Sequence, residues 1–203
     1  MKIIKETCTK GTNIYLGNEK RTLINNAVNQ LINEGFQEIQ IPILQSQELF
    51  SGKIGEENNN MMYTFSDKGG RQLCLPPEYT AVIMNLENTF KYQKDVKLFY
   101  VAECFRGENP QKGRYRQFTQ LGVEIINPTI DYPLRSLAIQ LTRIFTGEDL
   151  TIDTSVKRGL DYYKDGLGFE IRTPDGMQIV GGGSYDGGMG FAIGIDRIMF
   201  KKY

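Results

Sequence analysis

The chain has 203 residues, 40% of them hydrophobic and 24% charged, with 24 Lys+Arg balanced by 24 Asp+Glu and no histidine. That length suits one domain able to bury about two-thirds or more of its unfolded surface, and a net charge of zero argues against a generally basic nucleic-acid coat while leaving room for a local basic patch. The missing histidine excludes Ser-His-Asp and Cys-His nucleophile systems, HExxH metal sites and imidazole acid–base catalysis, so chemistry must run on carboxylates, guanidinium groups, lysine, tyrosine or a bound metal ion.

In chain order, Met1–Gly11 (MKIIKETCTKG) lacks the apolar core of a signal peptide. Leu23, Ile24, Ala27, Val28, Leu31 and Ile32 recur at helical spacing, with Gly35 as the stop. Ile39–Leu44 is β-rich but carries Pro42, which suits an edge or interface strand. Gly52–Met61 is polar and predicts a loop. Met62–Phe65 and Gln72–Leu75 predict strands around the Asp67–Gly70 turn, and Pro77–Leu86 predicts a helix. Lys97–Phe105 and Gln117–Ile126 are strands flanking a polar, basic segment, Arg106–Arg116, and Asp131–Phe145 predicts a second long helix. Strands follow at Thr151–Val156, Leu167–Thr173 and Met177–Val180, the last two joined by the Thr173–Gly176 turn. Glycine-rich Gly181–Gly190 then predicts a flexible turn, and Phe191–Phe200 a strand running into a short helix. The pattern predicts one α+β domain over 1–203 with a mostly antiparallel sheet flanked by helices. Cys8, Cys74 and Cys104 are too few and too scattered for a disulfide framework or a zinc site. No apolar run reaches the roughly 18 residues that span a bilayer, so the expectation is a cytoplasmic protein with no membrane partner.

Three segments carry the chemistry. In Phe105–Glu124 the loop sets Arg106, Lys112, Arg114 and Arg116 against Glu108, a local charge of about +3. Guanidinium forks in a hairpin loop match polyphosphate, although a solvated hairpin tip has the same composition. On the following strand, period two puts Phe118, Gln120, Gly122, Glu124 and Ile126 on one face, and Thr119, Leu121, Val123 and Ile125 on the other. A glutamine and a carboxylate flanking a glycine would orient a closely approaching ligand; a face simply turned to water reads the same way. Lys157–Gly166 brings an arginine, an aspartate and two adjacent tyrosines, and Gly181–Gly190 precedes Arg197 without matching a GxGxxG or P-loop pattern.

Together and in this order, these segments resemble a class II aminoacyl-tRNA synthetase, most closely the histidyl-tRNA synthetase catalytic core. FRGENPQKGRYRQFTQLGVE is similar to motif 2, RGLDYY to the histidine-binding signature, GFAIGIDR to motif 3, and GFQEIQIPILQSQELF to motif 1 with Pro42 near a dimer interface. MYTFSDKGGRQLCLPPEYT resembles the segment that receives the amino group. The resemblance implies ATP, with Mg²⁺, and histidine as substrates. It implies Arg106 on the α-phosphate, Glu108 at the adenine, and Arg114 and Arg197 on the β/γ-phosphates. For histidine it implies Glu78, Thr80 and Gln120 on the amino group, and Glu124 and Tyr163 on the imidazole. Tyr162 would line the pocket, and Arg158 would stand between the substrate carboxylate and the α-phosphate. Arg106, Arg158 and Arg197 are then the catalytic set. No histidine is needed, because the nucleophile is an ionised carboxylate and the barrier is met by charge and position.

This chain departs from the family pattern at Asn109, at Tyr79 within Pro76-Pro77-Glu78-Tyr79-Thr80, and at Ser184; the insertion expected before RGLDYY is reduced to Ile125–Lys157. The chain stops just past Arg197, so an anticodon-binding domain is expected to be absent. The resemblance implies a homodimer that forms histidyl-adenylate, with tRNA, a carrier protein or a small molecule as the acceptor of the acyl group. Its alternatives are a histidine-sensing paralogue like the regulatory subunit of ATP phosphoribosyltransferase, and an excised catalytic fragment.

Overall fold

The computed structural model describes residues 3–7, 9–86, 88–111, 113–148, 150–156, 163–164 and 166–200. The chain opens with an antiparallel hairpin, β1 (Ile3–Glu6) and β2 (Asn13–Tyr15). Helix α1 (Asn18–Asn33) buries Lys20, Ile24, Ala27 and Leu31 along one stripe, and Gly35 follows at positive φ. It begins a turn earlier than its apolar periodicity predicts, because the inward residue of the first turn is a lysine.

The expected strand Ile39–Leu44 does not form. Only β3 (Gln37–Glu38) pairs, and Ile39 donates one further N–H to Phe99 O at 2.8 Å. Proline has no N–H with which to continue a ladder, and the chain leaves for a second sheet through β4 (Gln45–Ser46). A 3₁₀ turn follows at Gln47–Phe50. The expected loop Gly52–Met61 contains a helix, α2 (Gly55–Asn60), seated on buried Ile54, whose carbonyl accepts from Asn58 Nδ2 at 2.8 Å. Strands β5 (Tyr63–Ser66) and β6 (Gln72–Leu75) form the expected hairpin and complete a three-stranded sheet in the order β4-β6-β5.

Helix α3 (Thr80–Met84) is shorter than the expected Pro77–Leu86. The carbonyls of Pro76 and Pro77 are taken by Phe105 N and Arg106 Nε at 2.9 and 3.0 Å, so the segment before it is tied to the neighbouring hairpin instead. That hairpin is β7 (Val96–Phe105) and β8 (Gln117–Ile126), paired along their full length. Helix α4 (Leu134–Thr146) ends on left-handed Gly147, which donates its N–H to Arg143 O. The chain closes with β9 (Ile152–Asp153), β10 (Phe169–Arg172), β11 (Gln178–Tyr185), β12 (Gly188–Gly194) and α5 (Ile195–Met199).

The main sheet has the order β3-β7-β8-β12-β11-β10-β9, antiparallel throughout except for β3 against β7. It is the expected α+β arrangement. The glycine-rich stretch is a correction: Gly181–Gly190 is two paired strands joined at Asp186–Gly187, not a flexible turn. The glycines are there for close approach. A Cβ on Gly190 would overlap the Glu124 carboxylate, and one on Gly122 would overlap the Tyr100 ring.

Helices α1, α4 and α5 cover one face over a core that includes Leu121, Val123, Ile125, Leu141, Phe145 and Phe191. The other face carries a smaller cluster of Tyr79, Ile83, Leu98, Tyr100 and Cys104 beside α3. Both faces of β8 are therefore covered, with the two side-chain sets divided as the period-two pattern predicts. Among the described residues, no helix is long and apolar enough to cross a membrane.

Candidate active site

A cavity of about 230 Å³ opens on the α3 side of the sheet. Pairing decides its floor. Tyr100 lies opposite Gly122 on one side, and Ala192 and Gly194 of β12 lie opposite Gly122 and Gln120 on the other. The small residues leave room above the strands, and Gln120 rises between them, its Oε1 accepting from the Cys104 thiol at 3.2 Å.

One end is acidic and hydroxylic. Glu78 precedes α3 and accepts from Ala81 N at 3.0 Å, satisfying one of the orphan donors of that helix start. Thr80 donates to Glu124 Oε1 at 2.6 Å, and Tyr185 donates to Glu124 Oε2 at 2.8 Å. Glu124 is fully buried, and burial pushes its carboxyl up to about 8; the two donated hydrogen bonds pull it back and the charge of Glu78 adds to the rise. The Tyr100 hydroxyl is buried at the same end with no hydrogen-bond partner among the described residues, and burial holds it well above the usual phenol range.

The other end is cationic. Arg106 is braced through Nε to Pro77 O, and its guanidinium lies 5.3 Å from the centre of the Phe118 ring. Arg197 is held from two sides, Nε donating to Gly113 O at 2.6 Å and an NH group to Gln178 O at 2.7 Å. Burial lowers the Arg197 pKa, and the guanidinium charges of Arg106 and Arg114 press it further down while Glu108 opposes them. One oxygen of Glu108 is buried without a hydrogen-bond partner among the described residues, 3.7 Å from Arg114 Nε. Arg116 is used structurally: its Nε donates to Glu108 O and its backbone N–H to Gly11 O, tying the loop to the N-terminal hairpin.

Of the residues singled out from the sequence, Glu78, Thr80, Arg106, Glu108, Gln120, Tyr163 and Arg197 line this one cavity. Two stand elsewhere. Arg114 is half exposed at the rim, lining a neighbouring hollow with Glu108. Glu124 lies behind the cavity wall, because Thr80 and Tyr185 occupy its oxygens and Gly190 packs against it. Arg158 and Tyr162 lie outside the described residues, as does Lys112.

Among the wall residues that sequence reasoning missed are Tyr100, Tyr115, Glu170 and Gln178. Tyr100 was within reach, since pairing the two predicted strands about their loop sets it opposite Gly122. Glu170 and Gln178 reach the wall through the β10–β11 pairing, which no local pattern signals. Chemically, the cavity pairs a cationic end suited to phosphate oxygens with a carboxylate and amide end suited to an ammonium group.

Comparison with known proteins points the same way. The family model described as histidyl-tRNA synthetase matches residues 18–130. The histidine–tRNA ligase of Methanospirillum hungatei is 51% identical over 94 residues, covering 45% of this chain and 23% of that protein. That of Methanocaldococcus jannaschii is 38% identical over 138 residues, 64% of this chain and 33% of that protein. The chain thus spans about a quarter to a third of the length of these curated relatives. Among solved structures, apo histidyl-tRNA synthetase of S. aureus superposes with a TM-score of 0.74 at 22% identity, over 97% of this chain and 73% of that one. A pyrrolysyl-tRNA synthetase of Desulfitobacterium hafniense superposes with a TM-score of 0.71 at 14% identity, over 90% of this chain and 66% of that one.

Proposed function

From a chain that belongs to the histidyl-tRNA synthetase family and has the class II catalytic fold, we propose an enzyme that activates histidine with ATP as histidyl-adenylate, its acyl acceptor being tRNA. The observation that carries this is the meeting of Arg106 and Arg197, with Arg114 at the rim, at one end of a cavity whose other end holds Glu78, Thr80 and Gln120.

In the proposed reaction an oxygen of the histidine carboxylate attacks the α-phosphorus of ATP. A new C–O–P linkage forms, the bond from the α-phosphorus to the bridging oxygen breaks, and pyrophosphate leaves with its electron pair. No proton has to move, which suits a chain without histidine. The chain's contribution is to bring two anions together and hold them in line. Arg106, fixed by Pro77 O and Phe118, would take the α-phosphoryl oxygens, and Arg197 and Arg114 the departing pyrophosphate. The buried oxygen of Glu108, which faces Arg114 but accepts no hydrogen bond among the described residues, would accept from the adenine amino group. Glu78, Thr80 and Gln120 would hold the substrate ammonium.

Tyr163 would reach the imidazole directly, and Glu124 would act on it from behind the wall through Thr80 and Tyr185. Arg158 and Tyr162 are assigned by motif alone. Mg²⁺ would enter as part of the MgATP substrate, with phosphate oxygens and waters as its ligands; among the described residues no three His, Cys, Asp or Glu side chains cluster to cage it. The reading extends to one catalytic domain over 1–203, to a cytoplasmic setting, and to pairing of two copies through Ile39–Leu44, where Ile43 and Leu44 are exposed.

The test is histidine-dependent exchange of pyrophosphate into ATP. Exchange with histidine alone among the amino acids, falling by about two orders of magnitude in Arg106→Ala, is the expected result. Histidine binding without exchange would replace the enzyme by a sensor, and exchange with another amino acid would overturn the substrate.

A further inference from the structure

Beneath the sheet, on the side opposite the cavity, lies a buried ionic cluster that the proposed chemistry does not use. Lys20, in the first turn of α1, is 6% exposed, and its ammonium reaches three acceptors: Tyr15 OH at 2.7 Å, Thr119 Oγ1 at 2.5 Å and Asp196 Oδ1 at 2.7 Å. An ammonium has three protons, so every one is placed. Asp196 is 3% exposed, and its second oxygen accepts the backbone N–H of Thr119 at 2.5 Å; the Thr119 hydroxyl passes on to Glu103 Oε1 at 2.6 Å. One lysine thereby joins β2, α1, β7, β8 and α5.

The neighbours of these residues give the cluster its meaning. Thr119 precedes Gln120 and Asp196 precedes Arg197, and both of those following residues point into the cavity. The two sides are not equally secure without the cluster. Gln120 sits on a strand paired along its length with β7 and β12. Arg197 sits on a helix of five residues, Ile195–Met199, held by the packing of Ile195, Ile198 and Met199 and by the ionic cluster at Asp196 rather than by a ladder of strand hydrogen bonds. Removing the lysine would leave Asp196 buried beside Glu103 without the cation that pairs it, and the strain falls on α5, the element that carries Asp196.

We propose that Lys20 is a positioning residue for nucleotide binding: by holding Asp196 it fixes α5, and α5 fixes Arg197 against the phosphates. This rests on the assignment of Arg197 to ATP. It separates Lys20 from an ordinary structural lysine, whose loss lowers the fraction of folded enzyme and leaves both Michaelis constants alone.

The experiment measures pyrophosphate exchange and calorimetric MgATP binding for the full chain, Lys20→Met, Asp196→Asn and the double variant, with thermal melts to establish the folded fraction. The expected result is a rise of about tenfold or more in the KM and Kd for ATP in each single variant, with the KM for histidine within about threefold of the parent. The double variant should be no worse than the poorer single one, because both act through one contact. If Lys20→Met does not fold, Asp196→Asn carries the comparison, since its amide oxygen still accepts from Thr119 N. Unchanged Michaelis constants with only kcat reduced in proportion to folded protein would overturn the inference, as would single effects that multiply in the double variant. A parent chain that binds MgATP without exchange would refute the adenylation reading while the Kd comparison still judges Lys20. A parent that does neither would refute both.

Discussion

Replacing Glu124 by glutamine removes one titratable proton from the middle of the sheet and leaves the side-chain volume nearly unchanged. In the folded chain burial pushes this carboxyl from its ordinary 4.5 up to about 8. Between those two values the folded chain keeps a proton that the unfolded chain has released, so unfolding becomes easier as pH rises. The contribution is complete below 4.5, falls by about 1.4 kcal/mol per pH unit, and roughly 5 kcal/mol of it has gone once the pH passes about 8. The side chain is fully buried, so solvent screening does not discount it.

The composition makes this measurable. With no histidine in the chain, no imidazole titrates across the same window. Burial also raises Asp196, but that group is common to both proteins and cancels in the comparison. Urea unfolding of parent and Glu124→Gln between about pH 5.5 and 8 should give a parent whose stability falls with pH more steeply than the variant, by about 1 kcal/mol per pH unit. The glutamine oxygen still accepts from Thr80, and its NH₂ meets the Tyr185 oxygen, so the variant should fold. Parallel pH profiles for the two proteins would refute the upward shift of the Glu124 carboxyl by burial.

Two further outcomes are expected. Gly122→Ala drives a Cβ into the Tyr100 ring; it should cost about 1–3 kcal/mol in urea unfolding and, by pushing the ring toward the cavity, raise the KM for histidine. Parent-like stability would show that the ring is free to step aside. Cys74 and Cys104 are both buried, and burial pushes the Cys74 thiol up to about 11 and that of Cys104 higher still. Neither should be alkylated by iodoacetamide in the native state at neutral pH, and both should be on unfolding, as followed by peptide mass spectrometry; native-state labelling of Cys104 would contradict the packing around Gln120.

What was legible in the sequence is what a local period records. Gln117–Ile126 alternates over ten residues, and both its strand state and its division into two faces hold. The helices are legible where apolar residues recur, and their ends drift where a polar residue turns inward, as Lys20 does. Composition misleads at Ile39–Leu44, where β-branched residues suggest a strand but Pro42 and the departure to the second sheet end the pairing. It misleads again at Gly55–Asn60, where a polar stretch folds as a helix on one buried isoleucine.

The glycine run shows why the site was harder to read than the fold. Taken alone, Gly181–Gly190 has the composition of a loop, since glycine weakens a strand by its backbone freedom. Paired, the glycines are what the packing requires: Glu124 and Tyr185 fill the space that side chains at Gly190 and Gly188 would have taken. The same contact places Glu124 behind the wall, where alternation by itself had set it facing a ligand. Period two assigns a residue to a face but says nothing of what covers that face. Lys20, Thr119 and Asp196 extend the point, because they lie 99 and 176 residues apart in pairs and meet only once three elements have docked. Motifs therefore named the groups that would touch substrate, while the groups that hold them in place belong to the tertiary structure.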